Sequence, residues 1–145
     1  MPDCVIDTTV VAYANGDLKG EKPGNILNRR LRVLRSVVNG EMRVRYNPKL
    51  LGEYVRSIKV HRNDVIEIFF IALESARAIC VPRNTLSRQD YTLATKKCGC
   101  PSHDQHLIAA ARLGDKTSLF VTEQAHATSA SKIRTHFNVT VIRLA

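Results

Sequence analysis

The sequence predicts an α/β fold, a three-layer α/β/α sandwich with a mostly parallel sheet of 4-5 strands, in a single domain spanning residues 1–145. Three observations lead there. Short apolar runs alternate with amphipathic helical stretches along the whole chain. Runs such as "CVID" and "SLFVT" lack the polar alternation of a half-exposed strand, as strands covered on both faces do. A chain of 145 residues, 44% of them apolar, is also long enough and apolar enough for one hydrophobic core.

The elements follow in order. "CVID" is the first strand, ending at Asp7 before two threonines and a helix-like apolar run. "GDLKGEKPGN" is the one Gly/Pro-rich segment and is expected to be a surface loop or flap. "NILNRRLRVLRSVVNG" places Ile26, Leu27, Leu31, Leu34 and Val38 on one helical face, with Gly40 as a stop. "MRVRY" is a short strand. In "NPKLLGEYVRSI", Asn47 can cap a helix and Pro48 fits its first turn. "DVIEIFFIALESARA" is a helix with Asp64 and Glu67 in capping-box spacing, and "AICVP" a buried strand. The polar "RNTLSRQDYTLATKKCGCPS" reads as loop or short helix. "HDQHLIAAARLG" is a helix, with Ser102 and Gln105 in capping-box spacing and Gly114 as its C-cap. "SLFVT" and "VTVIRL" are the last strands, bracketing the helical "SASKIRTHF".

Charge narrows the partners. Lys and Arg number 22 against 13 Asp and Glu, a formal net charge of +9, which favours a polyanion such as RNA, DNA or an acidic protein. There is no Trp, and the few Tyr and Phe form no exposed-looking row, so a base-stacking platform is not expected. The most apolar stretch, "DVIEIFFIALESARAICV", carries Glu67, Glu74 and Arg77, and no membrane span or targeting signal is expected. Four cysteines are too few for a disulfide scaffold, which points to a reducing cytoplasm.

The acids point to chemistry. In a parallel sheet, ligands collect at the carboxyl ends of strands, where Asp7 and the Thr122-Glu123-Gln124 run lie. Glu53 falls roughly 60° from Leu50, at the edge of a helical stripe of Leu50, Leu51, Tyr54, Val55 and Ile58. Asp104 precedes Leu107, Ile108 and Ala111 by three, four and seven residues, so it shares their apolar face. The helix dipole favours an acid in that first turn, but does not account for its facing the core. Carboxylates gathered from distant segments repel unless a cation or proton intervenes, and hard oxygen donors suit Mg²⁺ or Mn²⁺. A basic chain with such a site has a natural substrate in a phosphodiester.

These motifs resemble the PIN-domain family. "VIDTTVVAYA" is similar to its opening strand, aspartate and hydroxyl or amide residue; "NPKLLGEYVRSI" to its helix with the second acid; "SHDQHLIAAARLG" and "LFVTEQAHA" to its third acid and the strand ending in Val-Thr-x-Asp. The resemblance spans nearly the whole chain, and the length and "HDQHLIAAA" resemble the small toxin components of type II toxin–antitoxin pairs. It implies a metal-dependent ribonuclease in which Asp7, Glu53 and Asp104 are catalytic and hold Mg²⁺ or Mn²⁺, with Glu123 or Gln124 as a further metal residue and Thr8 and Thr122 in support. It also implies a small antitoxin partner and a homodimer. The chain departs from the family at Gln124, where a fourth acid is expected. Arg43, Arg45, Lys49 and Arg56 are candidate contacts to the RNA backbone.

Two rival readings stand beside this one. Cys98, Cys100, His103 and His106 could hold zinc, but the Cys-x-Cys spacing is tighter than that of zinc fingers, and a polar loop with free thiols is favoured. A PIN fold that binds nucleic acid or a protein without cleaving would account for Gln124.

Overall fold

The computed structural model describes residues 1–16 and 25–144. The chain runs β1 (Asp3–Ile6), α1 (Thr8–Ala14), α2 (Asn25–Val38), β2 (Arg43–Tyr46), α3 (Pro48–Ser57), α4 (Asp64–Leu73) and β3 (Ile79–Cys80). It continues through α5 (Arg88–Thr92), a π-helical turn (Leu93–Lys97), a 3₁₀ turn (Ser102–Asp104), α6 (Gln105–Ala111), β4 (Ser118–Val121), α7 (Gln124–Thr128), α8 (Ala130–Phe137) and β5 (Thr140–Arg143). Nearly all of the segment expected to form the Gly/Pro-rich loop lies outside the described residues, as do the side chains of Ile26 and Leu27.

The five strands form one parallel sheet in the order β3-β2-β1-β4-β5. Because parallel crossovers are right-handed, steps from β1 to β3 send their helices to one face and steps from β3 to β5 send theirs to the other. The result is the expected α/β/α sandwich. The direction of winding reverses between β1 and β4, so the carboxyl ends of those two strands open the crevice where such folds bind ligands. β1 is buried along its whole length, and β4 from Leu119 to Val121, as central strands covered on both faces must be. Tyr54 and Phe69, both fully buried, meet edge to face at 5.9 Å between α3 and α4.

Caps and edges differ from expectation in instructive ways. Asn47 caps α3 as predicted, its side chain accepting from Leu50 N at 3.0 Å. α4 is capped by Asn63, which accepts from Ile66 N at 3.0 Å, and Asp64 is the first helical residue instead of the cap. No capping box forms at α6: the Gln105 side chain accepts from Leu86 N, tying in the long preceding segment. The left-handed residue after α6 is Leu113, φ 65°, and Gly114 serves a different purpose. A Cβ there would collide with the Thr117 hydroxyl and crowd the Arg45 side chain. The "AICVP" strand is only two residues long and has one neighbour, β2; Cys80 is exposed, so it is an edge and not a buried strand. Val55 is also exposed, which narrows the apolar stripe of α3. The "SASKIRTHF" helix is preceded by a separate short helix, α7.

The amino end of the sheet is held by a buried acid. Asp3 accepts from Arg43 Nε at 2.8 Å and from Asp115 N at 3.0 Å, with Arg45 Nη1 at 3.5 Å. Burial alone would raise its carboxyl, but these partners hold it below the ordinary value. The sign of the linkage follows: Asp3 stabilises the fold above the ordinary carboxylate range, and that stability is lost as pH falls through its depressed folded value. Asp3→Asn is expected to cost about 2 kcal/mol at neutral pH and to shift the acid limb of a pH-melting curve.

Candidate metal centre

Asp7 sits where β1 ends. Its backbone N–H donates to Phe120 O at 2.9 Å, fastening the strand end to β4, and its side chain does not cap α1. The preceding carbonyl, Ile6 O, accepts a short hydrogen bond from the buried Tyr54 hydroxyl of α3. The Thr9 hydroxyl lies 3.4 Å from Asp7 Oδ2 and 2.9 Å from the Thr122 hydroxyl, so it links the ends of β1 and β4. Thr122 thus stands beside Asp7, whereas the buried Thr8 hydroxyl has no hydrogen-bond partner. Burial, and then the charges of Asp104 and Glu123, push the Asp7 carboxyl up to about 6.

Asp104 arrives from the opposite side of the crevice. It closes the 3₁₀ turn and precedes α6, yet its side chain caps nothing, so helix capping does not account for its position. His126 Nε2 stands 3.1 Å from Asp104 Oδ2, and His103 Nε2, on an exposed ring, 3.5 Å from the same oxygen. Burial would raise the Asp104 carboxyl, but the contact with His126, together with the charges of His103 and His106, holds it low. The same contact carries the His126 imidazole above its usual range, against its own burial. Glu123 completes the cluster: one ligand atom each from Asp104, Glu123 and His126 lie within 4.8 Å of one another. Among the described residues this is the one group of three or more Asp, Glu, His or Cys side chains close enough to share an ion.

Glu53 faces the same region but is engaged differently. Its Oε1 makes a close ion-pair contact with His106 Nε2, and burial holds His106 below its usual range against the pull of that carboxylate. The structure therefore brings Asp7 and Asp104 within electrostatic reach and adds Glu123, while Glu53 is set apart with a histidine of its own. Gln124 is exposed and opens α7.

His126 is the residue sequence reasoning overlooked. Its signal was present: Glu123 and His126 have the Glu-x-x-His spacing that puts two ligands on one side of a helix start. His106, a zinc candidate from the sequence, is found against Glu53. Cys98, Cys100, His103 and His106 form no ligand cluster among the described residues. Burial also pushes the Cys100 thiol up to about 12, unfavourable for a thiolate ligand.

The basic candidates separate too. Arg43 and Arg45 are spent at the amino end of the sheet, on Asp3 and, for Arg45, on the Ala110 and Arg112 carbonyls at 2.8 and 3.2 Å. Lys49 is nearer, with Nζ 3.5 Å from His103 O at the crevice, and Arg56 is exposed on α3.

The cluster can hold a metal ion. Asp104 and Glu123 group with His126, and Asp7 lies within electrostatic reach of all three, so carboxylates gather in a partly buried crevice. The buried Asp104 Oδ2 and both His126 ring nitrogens make no well-aligned hydrogen bond among the described residues, although His126 Nε2 and His103 Nε2 stand 3.1 and 3.5 Å from that oxygen. Unsatisfied buried oxygen and nitrogen donors converging on one point are what a cation would satisfy. Among the described residues, no helix is long and apolar enough to cross a membrane. No protein-family model, curated protein or solved structure matches this chain in comparisons with known proteins.

Proposed function

We propose that this chain is a PIN-like ribonuclease that hydrolyses RNA phosphodiester bonds with Mg²⁺ or Mn²⁺, and that it is the toxin of a toxin–antitoxin pair. The observation that carries the reading is the grouping of Asp104, Glu123 and His126 with Asp7 in electrostatic reach at the crevice between β1 and β4, in a chain of net charge +9. Asp7, Asp104 and Glu123 would hold the ion, with His126 as a fourth donor. Held there, a divalent ion would supply a water of lowered pKa and neutralise charge building on the phosphoryl group. The chain's own residues prepare for this. Tyr54 and Thr9 fix the Asp7 strand end, and α6 and α7 deliver Asp104 and Glu123 to it. Lys49 stands beside the crevice, where it can meet a phosphate.

The toxin reading adds two protein contacts, a small antitoxin over the basic surface and a second copy of the chain. Exposed Ile68 and Ile71 on α4 offer apolar surface for a protein contact.

The pairing of Glu53 with His106, together with Gln124, favours a second reading: the fold binds RNA without cutting it. A panel of RNAs incubated with the purified protein separates the two. The nuclease reading expects cleavage with Mg²⁺ or Mn²⁺, products with 5′-phosphate and 3′-hydroxyl ends, and no cleavage in EDTA. Binding without cleavage in every metal condition would establish the second reading instead.

A further inference from the structure

A second feature lies on the far side of α7 from the metal centre. The π-helical turn Leu93–Lys97, closed by a Cys98 N to Leu93 O hydrogen bond of 3.0 Å, presents Lys96 and Lys97. α8 presents Lys132 from the facing wall. Between them is an open cleft of about 400 Å³, floored by Gly99, Thr128 and Ser129. Gly99 takes the left-handed φ of +77° that favours glycine, and it lies against Ser129 across the cleft. π-helical turns are rare and concentrate at functional sites. No acidic side chain lines the cleft, and none of the three lysines has a hydrogen bond or ion pair among the described residues. Three exposed ammonium groups around one slot make a positive patch that attracts an anion.

We propose that this cleft binds the sugar-phosphate backbone of single-stranded RNA and leads it to the metal centre, an inference that rests on the ribonuclease reading. The lining favours a backbone over an acidic peptide, for the cleft offers small and hydroxyl residues and no large apolar anchor for a peptide side chain. It offers no aromatic ring either, so it would grip phosphates without reading bases. The link to the centre is α7 itself. Ala125, Thr128 and Ser129 line the cleft, while His126 on the same helix meets Asp104. A helix of five residues is roughly 7 Å long, short enough for one strand to occupy both places.

The test is fluorescence anisotropy with a labelled oligouridylate in EDTA, where binding is read without cleavage. The combined Lys96→Ala, Lys97→Ala and Lys132→Ala variant is compared with a charge-matched Arg29→Ala, Arg32→Ala and Lys59→Ala variant, whose positions are also exposed. The cleft variant is expected to bind roughly tenfold to a hundredfold more weakly. Its slope of log affinity against log salt should be shallower by about 2, the value for three lost contacts to a single strand. The control should keep the wild-type slope, and a triple Lys→Arg cleft variant should keep the affinity. Equal losses in cleft variant and control would overturn the proposal in favour of bulk charge. Displacement of the RNA by polyglutamate of equal charge, as effective as displacement by unlabelled RNA, would overturn it in favour of a protein partner. Failure of cleavage with this binding pattern intact would sink the nuclease reading alone.

Discussion

On the proposed ribonuclease reading, Asp104→Asn is expected to lower RNA cleavage by at least ~10³-fold, with Asp7→Asn comparable. Asp104 is the hub of the cluster. It shares the 4.8 Å grouping with Glu123 and His126, and its charge is one of the forces that raises Asp7. An asparagine keeps the shape and removes the charge, so an intact fold with lost cleavage isolates the electrostatic contribution. The accompanying measurement is calorimetric titration with Mn²⁺: the wild type should bind, and Asp104→Asn should lose the heat of binding. Glu53→Gln provides a graded comparison. Glu53 is held by His106 outside the main cluster, so its loss should cost less than that of Asp104. Cleavage by Asp104→Asn at the wild-type rate would remove the centre from the mechanism.

In EDTA at neutral pH, Asp7→Asn is expected to stabilise the protein by about 2 kcal/mol, or roughly 6 °C in Tm. The sign comes from the raised carboxyl, at about 6 against 3.8 for an ordinary aspartate. Between those two values the folded chain binds more protons than the unfolded one, so stability falls as pH rises from about 4 to about 6. Above that window the ionised Asp7 costs its full penalty, and asparagine removes it. The wild type should therefore melt progressively lower as pH rises through that window, with the variant flatter. Saturating Mn²⁺ should reverse the order, because an ion that binds only the folded wild type stabilises it by mass action. A variant less stable than the wild type in EDTA at pH 7 would contradict the burial and repulsion argued for Asp7. Opposite effects on stability and on metal response also separate a ligand role from a merely structural one.

Much of the architecture was legible because it rests on local rules. The alternation of apolar runs with helical stripes marks parallel strands and crossovers. Asn47-Pro48 marks a helix start by a cap and a fixed φ that need no distant partner. Where a short motif had competing partners, local reading failed. Ser102 and Gln105 have capping-box spacing, yet Gln105 reaches Leu86 instead. Gly114 looks like a helix stop, but tertiary packing against Thr117 and Arg45 requires it. The short edge strand Ile79–Cys80 could not be told from a buried one, since an apolar run does not say how many neighbours it will have.

The site divides in the same way. The sequence by itself determined that acids end the first strand and open a late helix and that the chain is strongly basic. Those are properties of residue order and periodicity. Only the tertiary structure decided which side chains meet. It paired Glu53 with His106, set His126 and Glu123 around Asp104, and spent Arg43 and Arg45 on Asp3 at the far end of the sheet. The physical reason is that buried charge must be balanced by whatever group the fold brings within a few ångströms. The long-range partners, Asp104 for His126 and Glu53 for His106, are chosen by packing between distant segments, which no spacing along the chain encodes.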